Sequence, residues 1–155
     1  MNNRLIDLYR LADERHYYVD ETCPRSIVAM SMRLAGGEKI ISLTDFDSEP
    51  APGEELPYTK IECFAHEMGH CETDSFYGFF SSLETRGKHE YRANKWAINY
   101  LIPFPELCRA VAEGNRELWQ LAEYFDVSPD FVEKAISYHE QHGNFVPNNT
   151  SLCDF

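Results

Sequence analysis

The sequence predicts an α+β fold: a small antiparallel sheet lying on a motif-bearing helix, followed by a mostly helical C-terminal half. Three observations carry that prediction. Between Ser26 and Leu43 a residue alternation is broken by Gly36-Gly37, the pattern of two strands joined by a glycine turn. Before that stretch and after residue 59, apolar residues recur instead at helical spacing. With 155 residues, 43% hydrophobic and 26% charged, the chain is long enough for one real core and too short for two comfortable ones. One domain is expected over residues 1–143, with 144–155 a loosely ordered polar tail.

In order, residues 3–15 place Leu5, Leu8, Leu11 and Ala12 on one side of an amphipathic helix. His16 to Asp20 reads as a short strand. Val28, Met30, Met32 and Leu34 alternate with Ala29, Ser31 and Arg33, and Lys39 to Leu43 returns as the second arm of the hairpin. Residues 44–58 hold three prolines and five acids and read as a connector, or as the rim of the site that follows. Thr59-Lys60-Ile61-Glu62 has the form of a capping box, so a helix should start near residue 60 and run to about Cys71. A second helix is expected from about Lys88 until Pro103 stops it. Pro105 opens a third, closed by Gly114, and residues 116–125 form a fourth. Ser128 and Pro129 open a fifth, ended by Gly143.

Fourteen Lys and Arg stand against twenty-six Asp and Glu, for a formal net charge of −12. That surplus repels phosphate backbones and anionic membrane surfaces, which argues against direct nucleic-acid or membrane binding. No apolar leader and no run of about 18 apolar residues is present, and five scattered cysteines form no CxxC pair. A cytoplasmic protein with reduced thiols is the expectation.

His66-Glu67-Met68-Gly69-His70 is an HExxH motif placed inside the helix that Thr59 opens. Chance would put that pattern in a chain of this composition about 0.02–0.03 times. On a helix, residues four apart share a face, so His66 and His70 can both turn a ring nitrogen to one Zn²⁺. Glu67 lies about 100° further round, where it flanks the metal without ligating it and can serve as general base for water. A catalytic zinc site wants a third protein ligand and one open position. Glu90, twenty residues after His70, is the best candidate, because Ala93 and Ala97 on its side of the next helix allow two helices to approach closely. Cys63 and Cys71 bracket the motif and remain rival ligands.

HExGH followed by Glu90-Tyr-Arg-Ala93-Asn94-Lys-Trp96-Ala97 and then Leu101-Ile102-Pro103 resembles the ImmA/IrrE family of metallo-endopeptidases. The stretch Leu121 to Ser128 is also similar to that family's C-terminal part, so the resemblance reaches from the first helix to about residue 142. It implies a zincin-like fold, a gluzincin-like set of zinc ligands in His66, His70 and Glu90, and Glu67 as the catalytic acid/base. It also implies a protein substrate, a DNA-binding helix-turn-helix repressor of a phage or mobile element. An acidic protease would be drawn to a basic repressor.

Hydrolysis also needs a donor for the oxyanion. Tyr77, His89, Tyr91 and His139 are the candidates, and Asn94 could brace the ligand set or simply pack. Two other readings compete. One is a zinc-binding regulator without turnover that sequesters a partner. The other is a DNA-binding helix-turn-helix around Leu121–His142, against which charge argues: residues 115–142 carry two bases and six acids.

Overall fold

The computed structural model describes residues 3–53, 56 and 58–144. The chain divides into two compact units, Met1–Ala97 and Ile98–Phe155. In order, the elements are α1 (Asn3–Glu14), β1 (Tyr18–Cys23), β2 (Ala29–Arg33), β3 (Lys39–Thr44), α2 (Lys60–Glu72), α3 (Leu83–Leu101), α4 (Phe104–Ala112), α5 (Leu118–Phe125) and α6 (Pro129–Gln141). The architecture is α+β, six helices and one three-stranded sheet among the described residues. Residues 145–155 of the expected 144–155 tail, with Cys153, lie outside them, as do Glu54, Glu55 and Pro57 of the acidic connector.

In the first unit α1 keeps Leu8 and Ala12 buried, and Tyr9 meets Phe64 of α2 edge-on at 4.8 Å. His16 takes a left-handed φ of 58° and Tyr17 N–H returns to Ala12 O, which ends α1 and delays β1 to Tyr18. The expected hairpin forms: β2 runs antiparallel to β3, with Ser31 opposite Ile41, and Gly37 at φ 96° makes the turn. The sheet as a whole is mixed, a correction to the antiparallel expectation, because β1 joins the other edge of β3 in parallel. A tight turn over residues 24–28 reverses the chain after β1. Val28 there sits at φ 68°, unusual for a β-branched residue, and Ile27 O accepts from Ala29 N–H at 2.9 Å. β3 then slots between the two reversed strands.

α2 lies against β2, β3 and α1. Thr59 and Glu62 form the expected capping box, each side chain accepting the other's backbone N–H, an arrangement contributing about 1 kcal/mol. Ile61, Phe64, Ala65 and Met68 are buried along the helix, which fixes the height of the polar residues between them. α3 begins at Leu83, five residues before the expected start. Ser82 caps it, its Oγ accepting Thr85 N–H at 3.2 Å, and Gly87 is carried inside the helix. In the second unit α4, α5 and α6 bury Leu107, Ala110, Leu121, Phe125, Val132 and Ala135. Ser128 accepts Phe131 N–H at the head of α6, as expected. No helix among the described residues is long and apolar enough to cross a membrane.

Candidate metal centre

His66 and His70 stand one turn apart on α2, and Glu90 arrives from α3. What lets α3 come so close is Gly69. A Cβ built there would lie 2.5 Å from Ala93 O and 2.9 Å from Ala93 Cα. Ala93 and Ala97 are themselves fully buried. The close crossing therefore has two small partners, and Gly69 is the one that the alanine spacing alone does not reveal.

At this crossing His66 Nε2 is 3.1 Å from Glu90 Oε2, His70 Nε2 is 3.2 Å from Glu90 Oε1, and the two Nε2 atoms are 3.2 Å apart. Three ligands at tetrahedral angles around one zinc, each ~2.0–2.1 Å from it, would stand about 3.3 Å apart. The donor set thus fits a metal ion in chemistry and spacing, and these three residues could hold one. The His70 side chain is 7% exposed, those of His66 and Glu90 24% and 37%, so the cluster is sealed on one side and open to solvent on the other.

Several neighbours fix the orientation of these groups. Ser75 O lies 2.8 Å from His70 Nδ1. A carbonyl can only accept, so Nδ1 carries a proton and donates to it, and Nε2 is the ring atom that faces the cluster. The Thr73–Ser75 turn is held by Thr73 Oγ1 donating to Gly69 O at 2.7 Å and by Asp74, which pairs with Arg33 of β2 at 2.6 Å. Tyr77 donates its hydroxyl to Glu90 Oε1 at 2.8 Å. Glu67 is 8% exposed and accepts at Oε2 from Ser31 Oγ of β2 at 2.6 Å. Ser31 and Ser75 carry no motif signal. Only the fold places them beside the motif.

The hydrogen bonds from His66 and His70 hold the Glu90 carboxyl far below the usual carboxylate range. For His70, burial opposes the charged form, but the bond to Glu90 and the nearby Glu67 outweigh it and raise its pKa. Tyr77, hydrogen-bonded to the Glu90 carboxylate, is pushed up to about 12 and keeps its proton at neutral pH.

Of the other residues singled out in the sequence, His89 neighbours Tyr77, ring centroids 6.3 Å apart. Tyr91 is half-exposed, and Asn94 is half-buried one turn beyond Glu90. His139 belongs to the second unit, 2% exposed, with its Nε2 2.8 Å from Ile102 O and its ring against those of Phe104 and Tyr138. Cys63 and Cys71 are buried thiols that burial pushes up to about 12, and neither joins the metal-capable group.

Residues 55–137, just over half of the chain, match the family model described as the IrrE N-terminal-like domain, Peptidase_M78. The match spans both helices of the cluster. No curated protein and no solved structure matches the chain. On that family match the chain belongs to the IrrE N-terminal-like domain family, a family of metallopeptidases.

Proposed function

We propose that this chain is a zinc-dependent endopeptidase that acts in the cytoplasm and cleaves a helix-turn-helix repressor of a phage or mobile element. The observation that carries the reading is the convergence of His66, His70 and Glu90 at 3.1–3.2 Å, with the Glu67 carboxylate anchored beside them. A zincin-like fold is in keeping with a helix of this kind packed on a small sheet. The free thiols of Cys23, Cys63, Cys71 and Cys108 suit a reducing compartment. The repressor substrate rests on the family resemblance, and the chain's net charge of −12 complements a basic partner.

Zinc held by His66, His70 and Glu90 would supply Lewis acidity, lowering the pKa of water toward ~7 and polarising a carbonyl. Glu67 then acts as the base. Ser31 engages Oε2, so Oε1 takes the proton from water and passes it to the departing amine. Tyr77 keeps its proton, and turning that one O–H from Glu90 Oε1 to the developing oxyanion would make it the donor.

The test is Glu67→Gln beside the wild type, with zinc content and hydrolysis measured on each. Zinc should stay near one equivalent while cleavage of the cognate protein falls by about 10²–10⁴-fold. Unchanged cleavage would remove Glu67 from its role. Stoichiometric zinc with no cleavage by the wild type would favour a sequestering protein.

A further inference from the structure

Between Phe76 and Leu83 the sequence contains no charged residue, in a chain where charged residues make up 26%. Along this connection Phe79 is 86% exposed, Phe80 96% and Leu83 86%. The two phenylalanine rings meet each other edge-on at 5.3 Å. Large apolar side chains gain by leaving water, so a contiguous exposed cluster of this kind marks a contact surface.

The backbone beneath them is held in place. Gly78 N–H donates to Ser81 Oγ and Ser81 N–H to Gly78 O, both at 3.0 Å. Arg86 reaches back from α3 to the carbonyl oxygens of Phe79 and Ser81, and its guanidinium lies 5.8 Å from the centre of the Tyr77 ring. The rings are thus presented outward from a braced turn. That turn is continuous with the metal centre, since Tyr77 hydrogen-bonds Glu90. Phe79 is two residues beyond Tyr77, at most ~7 Å of extended chain.

We propose that Phe79, Phe80 and Leu83 form an apolar shelf on which the substrate polypeptide docks a bulky uncharged side chain within about three residues of the scissile bond. This rests on the metallopeptidase reading. An extended substrate advances ~3.3 Å per residue, so side chains one to three positions from a bond over the metal centre come within reach of the shelf. Leu, Met, Phe or Tyr would gain from contact with it. Asp, Glu or Lys would lose hydration without finding a charge partner among residues 76–83.

A random decapeptide pool tests the proposal, with cut sites read by mass spectrometry for the wild type and for Phe79→Ser/Phe80→Ser, zinc content being measured on both. The wild type should cut with one fixed position enriched in bulky apolar residues. The double variant should keep its zinc and lose that enrichment, with kcat/KM on the preferred peptides reduced about 10–100-fold through KM. Leu83→Ser should move the same readout less. Unaltered cut-site preference in the double variant overturns the proposal. So does a wild-type dimer in light scattering that the double variant abolishes without altered preference, since the shelf would then be covered by a second copy.

The metallopeptidase reading and the shelf can fail separately. If the wild type cuts nothing, the same pool is passed over zinc-loaded Glu67→Gln with and without the two serine substitutions. Selective retention of apolar peptides that the serines remove upholds the shelf without hydrolysis. Equal retention overturns it.

Discussion

His70 and His139 are the two buried histidines of the described chain, and they are anchored alike. Each gives one ring nitrogen to a backbone carbonyl at 2.8 Å, His70 to Ser75 and His139 to Ile102. They differ in what the other side of the ring meets. His70 turns its free nitrogen to His66 and Glu90, whereas His139 packs between Phe104 and Tyr138, with ring centroids 5.4 and 5.3 Å away. Burial and a carbonyl anchor are the ordinary way a folded chain satisfies a histidine. A site arises only where the second nitrogen meets further polar groups that no local packing requires. The first unit buries Thr44, Glu62, Glu67, His70 and Ser75, while His139 is the lone buried polar or charged residue of the second among the described residues.

The strongest way to break this comparison is to remove each ring. On the proposed zinc site, His70→Ala should lower zinc affinity by about 10³-fold or more, because one of three proposed ligands is gone. His139→Ala should leave zinc bound and cost about 2–4 kcal/mol of stability, from the cavity and the unpaired Ile102 carbonyl. Isothermal titration with zinc and thermal melts separate the two effects. A His139→Ala protein that lost zinc affinity would show that the distinction drawn between these residues is wrong.

A second contrast concerns two glycines inside helices. Glycine to alanine in a helix interior is worth up to about 1 kcal/mol of stability from propensity alone. At Gly87, where a Cβ meets nothing within 4 Å, that gain should appear. At Gly69 the sign should reverse, with about 1–3 kcal/mol lost, because the new methyl drives into Ala93. Zinc affinity should fall with it, by about 100-fold for Gly69→Val, as α3 carries Glu90 away. If Gly69→Ala were as stabilising as Gly87→Ala, the close crossing would not be what brings Glu90 to the histidines.

Much of this was legible in the sequence wherever information is local. Helix spacing puts His66 and His70 on one face, Thr59 and Glu62 announce the start of α2, and the glycine turn announces the hairpin. The parallel pairing of β1 was not legible, because it depends on how a five-residue turn reverses the chain. Nor was the early start of α3, where Ser82 caps a stretch whose Gly and Phe content reads as loop. Ser31 is the most instructive case. Its cross-strand neighbour Ile41 is fully buried, and Ser31 itself reaches Glu67. The polar side of the β2 alternation is thus the side turned to the motif helix, an assignment that periodicity alone does not make.

The centre should also respond to pH in two opposite ways. His70 has its pKa raised above the ordinary 6.5, so its contribution to the metal-free fold is complete below that value and lost as pH rises through the folded one. Glu90 is lowered from 4.5, so its contribution is present above 4.5 and lost as pH falls toward its folded value. These two groups therefore favour the metal-free protein most between about pH 4.5 and 6.5. Zinc requires the histidines neutral, so zinc affinity should rise with pH where His70 gives up its proton, by up to about tenfold per unit per proton released. Melts of the chelator-treated protein and zinc titrations from pH 5 to 8 should run in opposite directions. Parallel trends would mean that His70 is not a zinc ligand.

The smallest expected effect falls on Ser31, and it separates positioning from binding. Its hydroxyl is 2.6 Å from Glu67 Oε2 and, on the distances seen here, belongs to no metal-capable group. Ser31→Ala should therefore leave zinc affinity and KM unchanged and lower kcat by about tenfold, as Glu67 loses a fixed orientation. Ser31→Thr keeps a hydroxyl on the same strand and should restore most of the rate. A merely structural role predicts something else: both variants would shift the melting temperature, and neither would move kcat. Full activity in Ser31→Ala would place the orientation of Glu67 in α2 alone, and the motif helix would then need nothing from the sheet beyond a surface to rest on.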